Sequence, residues 1–356
     1  MIVFFPTYAR RLPGQRRWRA TVAGMISRPL PRRSRRRTLA IGVLKRLLEI
    51  DEADLHSPVF QRRADAFLFQ RVAGERVRIA LGERIIDVGH SDRVGHFERV
   101  VDLEEPEVER LLEPAGPAGL GPRWLSYAAV PDRDAEGPPP ADEPRGTDAT
   151  QPERGRIHLV DEEGLSVISD IDDTVKVTNV ANRRELLANT LLREFHAVPG
   201  MPEIYRRWQG EGIAFHYVSS SPWQLAECLG GFLRDAALPA GSMHLKLFRL
   251  KDSTPLGRLP SRKSSKRRVI ERILEDFPRR RFLLVGDSGE RDPELYAAVA
   301  RRHPQRVPAV AIREVAGRTS PEKVRARLAR LARRLPAGVL HTFTDPEELA
   351  RLTPPS

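Results

Sequence analysis

Two aspartates stand two positions apart at the end of a short apolar stretch near the middle of the chain. Asp170 and Asp172 follow the strand-like residues 165–168, and Asp173 and Thr174 come directly after them. In an extended segment, side chains at positions i and i+2 project to the same side. Carboxylates placed in this way repel each other unless a cation or a shared proton neutralises them. The residues therefore indicate either an acidic turn or a site that binds a cation.

The spacing excludes a calcium loop of the EF-hand type. Asp170 and Asp172 fit loop positions 1 and 3, but Val175 stands at position 6, where glycine is needed. Ala181 stands at position 12, where a bidentate glutamate is needed. An acidic turn, for which Asp and Thr are common residues, stays open at this point.

Three consecutive serines follow a second apolar stretch, residues 213–218. We expect them at the N-terminus of a helix that begins near Trp223, where hydroxyl and backbone N–H groups together suit an anion. A simple helix cap is an equally good interpretation. The candidate anion ligands are Ser219 and Ser220, with Ser221 as a further alternative.

A third apolar stretch, residues 282–285, leads into a glycine-rich turn that carries Asp287 and Asp292. Just upstream, Lys266 stands near the start of a predicted helix. An ammonium group there opposes the helix dipole, which favours a functional role over a decorative one.

These stretches belong to an alternation of apolar strands and amphipathic helices that begins at about residue 155. Strands are predicted at 156–160, 165–169, 213–218, 244–248, 282–285 and 307–312. Helices are predicted at 181–195, 201–209, 223–235, 265–277 and 293–302. The alternation is typical of an α/β fold with a Rossmann-like, doubly wound parallel sheet, whose ligands bind beyond the carboxyl ends of the strands. We therefore expect the polar residues to meet at one edge.

Residues 1–130 follow a different pattern and predict a small, β-rich N-terminal domain. Its predicted strands are 18–26, 66–72, 76–81, 84–88 and 96–103, with a helix at 38–50. Residues 131–154 are rich in Pro, Gly and acidic residues, which predicts a linker. The predicted division is therefore 1–130, 131–154 and 155–356, with the catalytic domain last.

The net charge of +12 is concentrated at one end of the chain. Residues 1–48 contain 12 Arg and one Lys but no Asp or Glu. The arginine-rich part, residues 10–46, is a solvated loop, an arm for nucleic-acid phosphates or a patch for an anionic membrane surface. No zinc-finger spacing, helix-turn-helix or aromatic–arginine interleaving supports the nucleic-acid alternative, so we do not expect nucleic acid as a partner.

Composition indicates a globular protein of the cytoplasm. The chain has 40% apolar and 30% charged residues, and no apolar run approaches the length of a membrane span. Its first apolar residues precede the basic ones, which is the wrong order for a secretory signal. Cys228 is the single cysteine and cannot form an intramolecular disulfide. Peripheral attachment to a membrane stays an alternative, and the sequence does not define an oligomeric state.

Phosphoryl transfer is the chemistry that needs this combination of groups. Carboxylates from two strand ends can hold Mg²⁺, which prefers oxygen ligands. A serine hydroxyl and a lysine can neutralise the phosphoryl oxygens. One aspartate can attack phosphorus while its neighbour two residues on protonates the leaving alkoxide, which gives an aspartyl-phosphate that water hydrolyses.

The residues occur in the order of four motifs, which resemble those of the haloacid dehalogenase superfamily of Mg²⁺-dependent phosphohydrolases. More narrowly, residues 167–178, 215–225 and 284–296 resemble the catalytic domain of the actin-patch-type phosphatidate phosphatases, distant relatives of the lipins. The resemblance covers roughly residues 155–315.

The resemblance also implies a role for each residue. Asp170 resembles the nucleophile and a Mg²⁺ ligand, and Asp172 the general acid/base and a ligand through its backbone carbonyl. Ser219 resembles the phosphate-binding hydroxyl, with Ser220 and Ser221 as alternatives. The remaining roles are the charge-neutralising lysine for Lys266, the third metal ligand for Asp287 and support of the metal site for Asp292. Lys263 competes with Lys266, because relatives are expected to have a histidine before the lysine where this chain has Ser265.

The substrate that the resemblance implies is phosphatidate or another lipid phosphomonoester. About 45 residues separate Thr174 from Ser219, so no large cap domain is expected, although residues 175–199 are long enough for a small lid. Two other functions stay open: a phosphatase of the same fold for soluble substrates, and a catalytically silent protein that binds a membrane or a partner.

Overall fold

The computed structural model describes residues 1–31, 34–48, 52–113, 121–130, 153–179, 182–246, 262–316 and 319–352. In chain order, the strands are β1 (Ile2–Phe4), β2 (Thr7–Arg11), β3 (Arg17–Pro29), β4 (Phe69–Arg71), β5 (Arg76–Leu81), β6 (Arg84–His90), β7 (His96–Glu104), β8 (Arg123–Ala129), β9 (Arg154–Val160), β10 (Glu163–Ser169), β11 (Ala214–Pro222), β12 (Ser242–Lys246), β13 (Arg279–Asp287), β14 (Ala309–Arg313) and β15 (Leu340–Phe343). The α-helices are α1 (Arg35–Leu48), α2 (Glu52–His56), α3 (Pro58–Phe67), α4 (Glu105–Leu111), α5 (Arg183–Leu191), α6 (Met201–Gly210), α7 (Ala226–Asp235), α8 (Arg262–Asp276), α9 (Asp292–Arg302) and α10 (Pro321–Ala332).

The chain divides into two compact units whose boundaries differ from the predicted ones. The first unit comprises Met1–Pro29, Phe69–Gly119 and Arg123–Val160, and the second comprises Leu30–Leu68, Leu120–Pro122 and Asp161–Ser356. Residues 131–152 of the predicted linker lie outside the described residues. No helix in the described part of the chain is long and apolar enough to cross a membrane.

The first unit is built on a mostly antiparallel sheet, and the sequence predicted a β-rich domain in this part of the chain. Its strand order is β1-β3-β2-β9-β8-β5-β6, and β4 and β7 also pair with β3. Inward-facing residues of these strands, among them Trp18, Ile79 and Leu125, form one buried core.

Strand β9 corrects the prediction that residues 156–160 begin the parallel sheet. It pairs with β8 and, in parallel, with β2, where Tyr8 lies opposite His158. Ile157 and Leu159 belong to the core of the first unit. The apolar pattern indicated a strand correctly, but a pattern of this kind does not specify the partner strand.

Helices α1–α3 interrupt the first unit in sequence but pack with the second. Phe60 and Ala64 of α3 form a small buried cluster with Leu68 and Leu191, and Leu191 is the last residue of α5. Of these three helices, only α1 was predicted from the sequence, because α2 and α3 are short and carry mixed charge.

The second unit contains the predicted α/β fold with a parallel sheet. In the described residues its strand order is β12-β11-β10-β13-β14-β15, and all neighbouring pairs are parallel. Counted from β10, this is the doubly wound order 3-2-1-4-5-6, which reverses between β10 and β13. Strand β15 and helix α10 were not predicted.

Helices cover both faces of this sheet. Consecutive residues at a strand end project to opposite faces. The Ser169 hydroxyl lies 2.8 Å from the Tyr205 hydroxyl of α6, whereas the Asp170 carboxylate contacts Lys266 of α8. Helices α6 and α8 therefore lie on opposite faces, and the candidate site opens at the end of β10, where the sheet order reverses.

Candidate active site

The ends of β10 and β13 carry two of the candidate carboxylates side by side. The backbone N–H of Asp170 donates to the carbonyl of Val285 at 2.9 Å, which extends the pairing of the two strands to this candidate residue. Asp287 ends β13 two residues later. Both side chains are buried.

Asp292, in the first turn of α9, completes a cluster of three buried carboxylates. One oxygen each of Asp170, Asp287 and Asp292 lies within 4.8 Å of the others. The Lys266 ammonium joins this group, 2.8 Å from Asp170 Oδ1 and 2.7 Å from Asp292 Oδ1. The structure thus brings together four residues that the sequence placed on three separate elements.

The glycine-rich turn gives Asp292 its place. A Cβ atom on Gly286 would lie 2.5 Å from Asp292 Oδ2 and 2.7 Å from the Tyr296 ring. In the turn itself, Asp287 Oδ1 accepts hydrogen bonds from the backbone N–H groups of Gly289 and Glu290. Any side chain at Gly286 therefore has to displace the Asp292 carboxylate or the ring.

Burial and mutual repulsion set the protonation of the cluster. Burial raises the pKa of Asp170, and Lys266 opposes that rise. Burial, followed by the nearby Asp292, also raises the pKa of Asp287. For Lys266, burial favours the neutral amine, but Asp170 and Asp292 outweigh it and raise its pKa. The lysine is therefore charged, whereas its charge does not offset the effect of burial on the pKa values of Asp170 and Asp287.

The carboxylate cluster fits a divalent cation. Oδ2 of Asp287 is buried and has no hydrogen-bond partner among the described residues. Three carboxylates with one ammonium carry a net charge of −2 when ionised, and oxygen atoms are the ligands that Mg²⁺ prefers. Asp170, Asp287 and Asp292 are therefore the residues that would hold the metal.

The carboxylate of Asp172 is turned to a different set of partners. Oδ1 contacts the Lys176 ammonium at 2.8 Å and accepts from the Thr178 hydroxyl at 2.9 Å. Oδ2 accepts from the hydroxyls of Ser221 at 2.6 Å and Ser219 at 3.1 Å. Burial would raise the pKa of Asp172, but Lys176 and these hydrogen bonds lower it to about 2. Metal ligation by its backbone carbonyl stays a prediction.

The loop after β10 is shaped by Asp173. Its backbone is left-handed, with φ 56°, and its carboxylate accepts from the N–H groups of Thr178 and Asn179. Arg313, at the end of β14, donates to the Asp173 carbonyl at 2.8 Å. The Thr174 hydroxyl lies 3.5 Å from Asp170 Oδ2. Asp173 thus shapes the loop.

The serines lie in a place that corrects the prediction. Residues 219–221 continue β11, which runs to Pro222, and so they do not form the N-terminus of a helix. Ser219 and Ser220 instead line a pocket together with His244, Lys246 and Lys266. The extended backbone lets Ser219 and Ser221 reach the same oxygen of Asp172.

Helix α8 also differs from the predicted helix. It begins at Arg262, so Lys266 lies one turn inside it and the argument from the helix dipole does not apply. The side chain of the alternative, Lys263, lies outside the described part of the structure.

Three residues of the site were missed by the sequence analysis. Lys176 and Thr178 follow the aspartates within the same motif, so proximity in sequence was an available signal. Arg327 of α10 gave no signal, because it reaches the turn after β13 only through the fold and donates to the carbonyls of Ser288 and Glu290.

Comparison with known proteins agrees with the geometry. A sequence model of the catalytic domain of phosphatidate phosphatase APP1 matches residues 165–314. Phosphatidate phosphatase APP1 of Saccharomyces cerevisiae is 35% identical over 154 residues, which is 42% of this chain and 26% of the yeast protein. An uncharacterized protein of Schizosaccharomyces pombe is 34% identical over 163 residues, 45% of this chain and 26% of its own length.

The matched region contains every candidate site residue that was named from the sequence. It runs from the start of the apolar stretch before Asp170 to the end of β14. This chain spans about a quarter of the length of these relatives. The family predicted from the motifs is therefore confirmed for residues 165–314, which match the catalytic domain of the APP1-type phosphatidate phosphatases.

Proposed function

We propose that the second unit is a Mg²⁺-dependent lipid phosphomonoester phosphatase with phosphatidate as its substrate. The observation that carries the proposal is the buried Lys266 ammonium between Asp170 and Asp292, beside the unpartnered Oδ2 of Asp287. The doubly wound strand order supports a haloacid dehalogenase-like fold. The match to the yeast phosphatidate phosphatase supports the substrate class.

The reaction proceeds in two displacements at phosphorus. An oxygen of Asp170 forms a bond to phosphorus as the bond to the leaving alkoxide breaks, and Asp172 gives that alkoxide a proton. Water then attacks the aspartyl-phosphate and passes a proton to Asp172, which restores the Asp170 carboxylate and releases phosphate. Ser219 and Lys266 neutralise the phosphoryl oxygens. Asp170, Asp287 and Asp292 would hold a divalent cation, which would supply positive charge that keeps these carboxylates ionised and offsets the phosphoryl charge.

Asp172 needs a proton before it can act as an acid. Its contacts hold its pKa at about 2, so it is ionised at rest. A phosphomonoester has a second pKa of about 6 and carries a proton part of the time near neutral pH. We infer that the proton enters with the substrate.

A phosphate-release screen tests the function. Phosphatidate in mixed micelles, sugar phosphates and nucleotides are each incubated with the full chain, with Mg²⁺ or with a chelator. We expect release from phosphatidate that needs Mg²⁺ and that falls by about 10³-fold or more in Asp170→Asn, which lacks the nucleophile. The exposed Asp235→Asn serves as the matched control.

Each other outcome of the screen has a distinct meaning. Release from soluble esters alone would indicate a phosphatase for soluble substrates. Release that survives both the chelator and Asp170→Asn would overturn the proposal. The ordered set of nucleophile, acid, lysine and metal ligands argues against a catalytically silent protein, since binding alone needs no such set.

We further propose that the second unit contacts an anionic membrane through α1. The predicted membrane contact, residues 10–46, is thereby narrowed to α1, because several arginines before it form ion pairs in the first unit. These pairs are Arg11 with Glu105, Arg17 with Glu104 and Arg19 with Asp102. In α1, Arg35 and Leu39 are exposed, while Arg37 is buried and pairs with Asp65. The exposed face thus combines a cation with an apolar side chain.

A further inference from the structure

The four contacts to the Asp172 carboxylate leave it no spare capacity. An ionised carboxylate offers about four acceptor positions, two on each oxygen. Lys176 and Thr178 occupy those of Oδ1, and Ser219 and Ser221 occupy those of Oδ2. Asp172 must therefore give up at least one contact before it can exchange a proton with a substrate.

The two oxygens differ in how easily their contacts can be exchanged. Ser219 lines the pocket beside Lys266, so its hydroxyl can turn to a phosphoryl oxygen that enters there. Ser221 is half-buried. On the other side, Lys176 and Thr178 are fully buried and are joined by a hydrogen bond of 2.7 Å. Oδ2 is therefore the oxygen whose partners a substrate can compete for.

Lys176 itself is held at both its backbone and its ammonium. Its N–H donates to the Ile171 carbonyl at 3.0 Å, and its own carbonyl accepts from Asp173. Its ammonium lies 4.6 Å from the centre of the Phe195 ring. A cation over the face of an aromatic ring is stabilised by the ring quadrupole, most strongly when it is buried.

Arg63 of α3 fixes the aromatic ring in turn. Its guanidinium lies 3.7 Å from the centre of the Phe195 ring. It also donates to the carbonyls of Asn189 and Thr190 at the end of α5 and to that of Arg193. The line from Arg63 through Phe195 to Lys176 gives the Oδ1 side of Asp172 a rigid support within one unit.

We propose that Lys176 is a positioning residue that anchors Asp172 through Oδ1, so that Oδ2 exchanges the proton once the substrate draws Ser219 away. Oδ2 gives its proton to the leaving oxygen as the bond from phosphorus to that oxygen breaks. It later takes a proton from the water whose oxygen bonds to phosphorus as the bond from phosphorus to Asp170 breaks. This inference rests on the proposed function and adds Lys176 and Thr178 to it.

The test compares two leaving groups in Lys176→Met. An alkoxide needs a proton to leave, whereas p-nitrophenolate does not, so only the alkyl ester depends on a correctly placed acid. We expect kcat/KM to fall by about 100-fold or more for an alkyl phosphate and by less than about fivefold for p-nitrophenyl phosphate. The exposed Lys323→Met is the matched control and should retain both activities.

A double-mutant cycle separates positioning from general support. In the Asp172→Asn background, Lys176→Met should lower kcat/KM by less than about threefold further, because a residue that acts through Asp172 has nothing left to position. Equal losses for both leaving groups, or full additivity with Asp172→Asn, would overturn the inference.

Two further results keep the outcome clear. If thermal unfolding shows that Lys176→Met does not fold, Thr178→Val removes the other donor to Oδ1 and should show the same dependence on the leaving group. A wild-type chain that hydrolyses neither p-nitrophenyl phosphate nor any alkyl phosphate, phosphatidate in mixed micelles included, would refute the proposed function, whereas an active wild type with no leaving-group selectivity in the variants refutes this inference alone.

Discussion

At the scale of single residues, the site depends on side chains that are costly to bury alone and stable only together. Lys266 is buried between two carboxylates, and Asp172 is buried beneath a lysine and three hydroxyls. Removing one partner of a buried ion pair leaves an unpaired charge, which costs about 3–5 kcal/mol. The side chains of such sites tolerate little displacement. At Gly286, even an added Cβ atom would displace one of them.

Gly286→Ala should lower activity although it replaces none of the polar side chains of the candidate site. The new Cβ would lie 2.5 Å from Asp292 Oδ2, so the carboxylate must move away from Lys266. We expect phosphate release to fall by about tenfold or more and the free energy of unfolding to fall by about 1–3 kcal/mol, as for an overpacked core.

The matched control for this change is Gly210→Ala at the end of α6, where a Cβ meets nothing within 4 Å. Alanine there should raise the free energy of unfolding by up to about 1 kcal/mol and leave activity unchanged. Urea unfolding and phosphate release measure both. Equal behaviour of the two variants would contradict the steric argument.

The side chains that meet in the candidate site could be named from the sequence, because the chemistry restricts residue types and the strand ends restrict positions. Asp170, Asp172, Asp287 and Lys266 could all be named in this way. Their partners could not: neither the direction of the Asp172 side chain nor the reach of Arg327 follows from a local pattern. Side-chain direction depends on packing, and long-range contacts depend on which strands pair.

At the scale of elements, the turn after β13 is held from outside by α10. Arg327 donates to the carbonyls of Ser288 and Glu290 and forms an ion pair with Glu294. The turn carries Asp287. Its Oδ1 accepts from backbone N–H groups, and its Oδ2 has no hydrogen-bond partner among the described residues. Helix α10 therefore stabilises the turn that carries a candidate metal ligand.

Arg327→Gln should reduce the affinity for Mg²⁺ more than it reduces the free energy of unfolding. Loss of hydrogen bonds from a charged group costs about 1.5–3 kcal/mol, and here that cost falls on the turn. We expect the Mg²⁺ concentration for half-maximal phosphate release to rise by about fivefold or more. The exposed Arg330→Gln on the same helix is the control and should leave that concentration unchanged.

The same ion pair gives a dependence on pH with a defined sign. Burial would raise the pKa of Glu294, but the contact with Arg327 lowers it below its usual value. A carboxylate with a lowered pKa stabilises the fold above its usual pKa and loses that effect as the pH falls through the lowered value. The difference in unfolding free energy between wild type and Arg327→Gln should therefore shrink on acidification, and a constant difference would exclude this ion pair as its cause.

Elements were predicted more reliably than their partners. Apart from β15 and α10, the strands and helices around the parallel sheet were predicted, because buried strands and amphipathic helices have distinct periods. Residues 156–160 were assigned to the wrong sheet, and the serines after β11 were assigned to a helix terminus. In both cases the local pattern was compatible with two environments, and only pairing with distant residues decides between them.

At the scale of the whole molecule, the uneven charge of the sequence is divided between the two units. Ion pairs with Glu105, Glu104 and Asp102 neutralise strand arginines of the first unit. Helix α1, which has five basic residues and no acidic one, belongs to the second unit, which also carries the candidate site. The surface proposed to contact an anionic bilayer is thus part of the same compact unit as the groups that would act on a lipid phosphate.

Leu39→Glu tests this surface. Leu39 on α1 is 70% exposed, so its replacement does not disturb the hydrophobic core. Burying a leucine in the bilayer interface contributes about 1.5–3 kcal/mol, and an added carboxylate is repelled by anionic lipid. We expect binding to vesicles of anionic phospholipid, measured by sedimentation, to weaken by about tenfold or more. Hydrolysis of a soluble phosphomonoester should not change, because the site itself is intact.

Ile85→Glu is the matched control, since Ile85 is 60% exposed on β6 of the first unit. It should bind the vesicles as the wild type does. Raising the salt concentration should release the wild type from anionic vesicles, because screening weakens attraction between exposed charges. The proposal that α1 provides the contact would be wrong if the wild type bound zwitterionic and anionic vesicles equally well. It would also be wrong if Leu39→Glu and Ile85→Glu weakened vesicle binding to the same extent. In either case, the candidate site itself would be the remaining place where lipid contacts the protein.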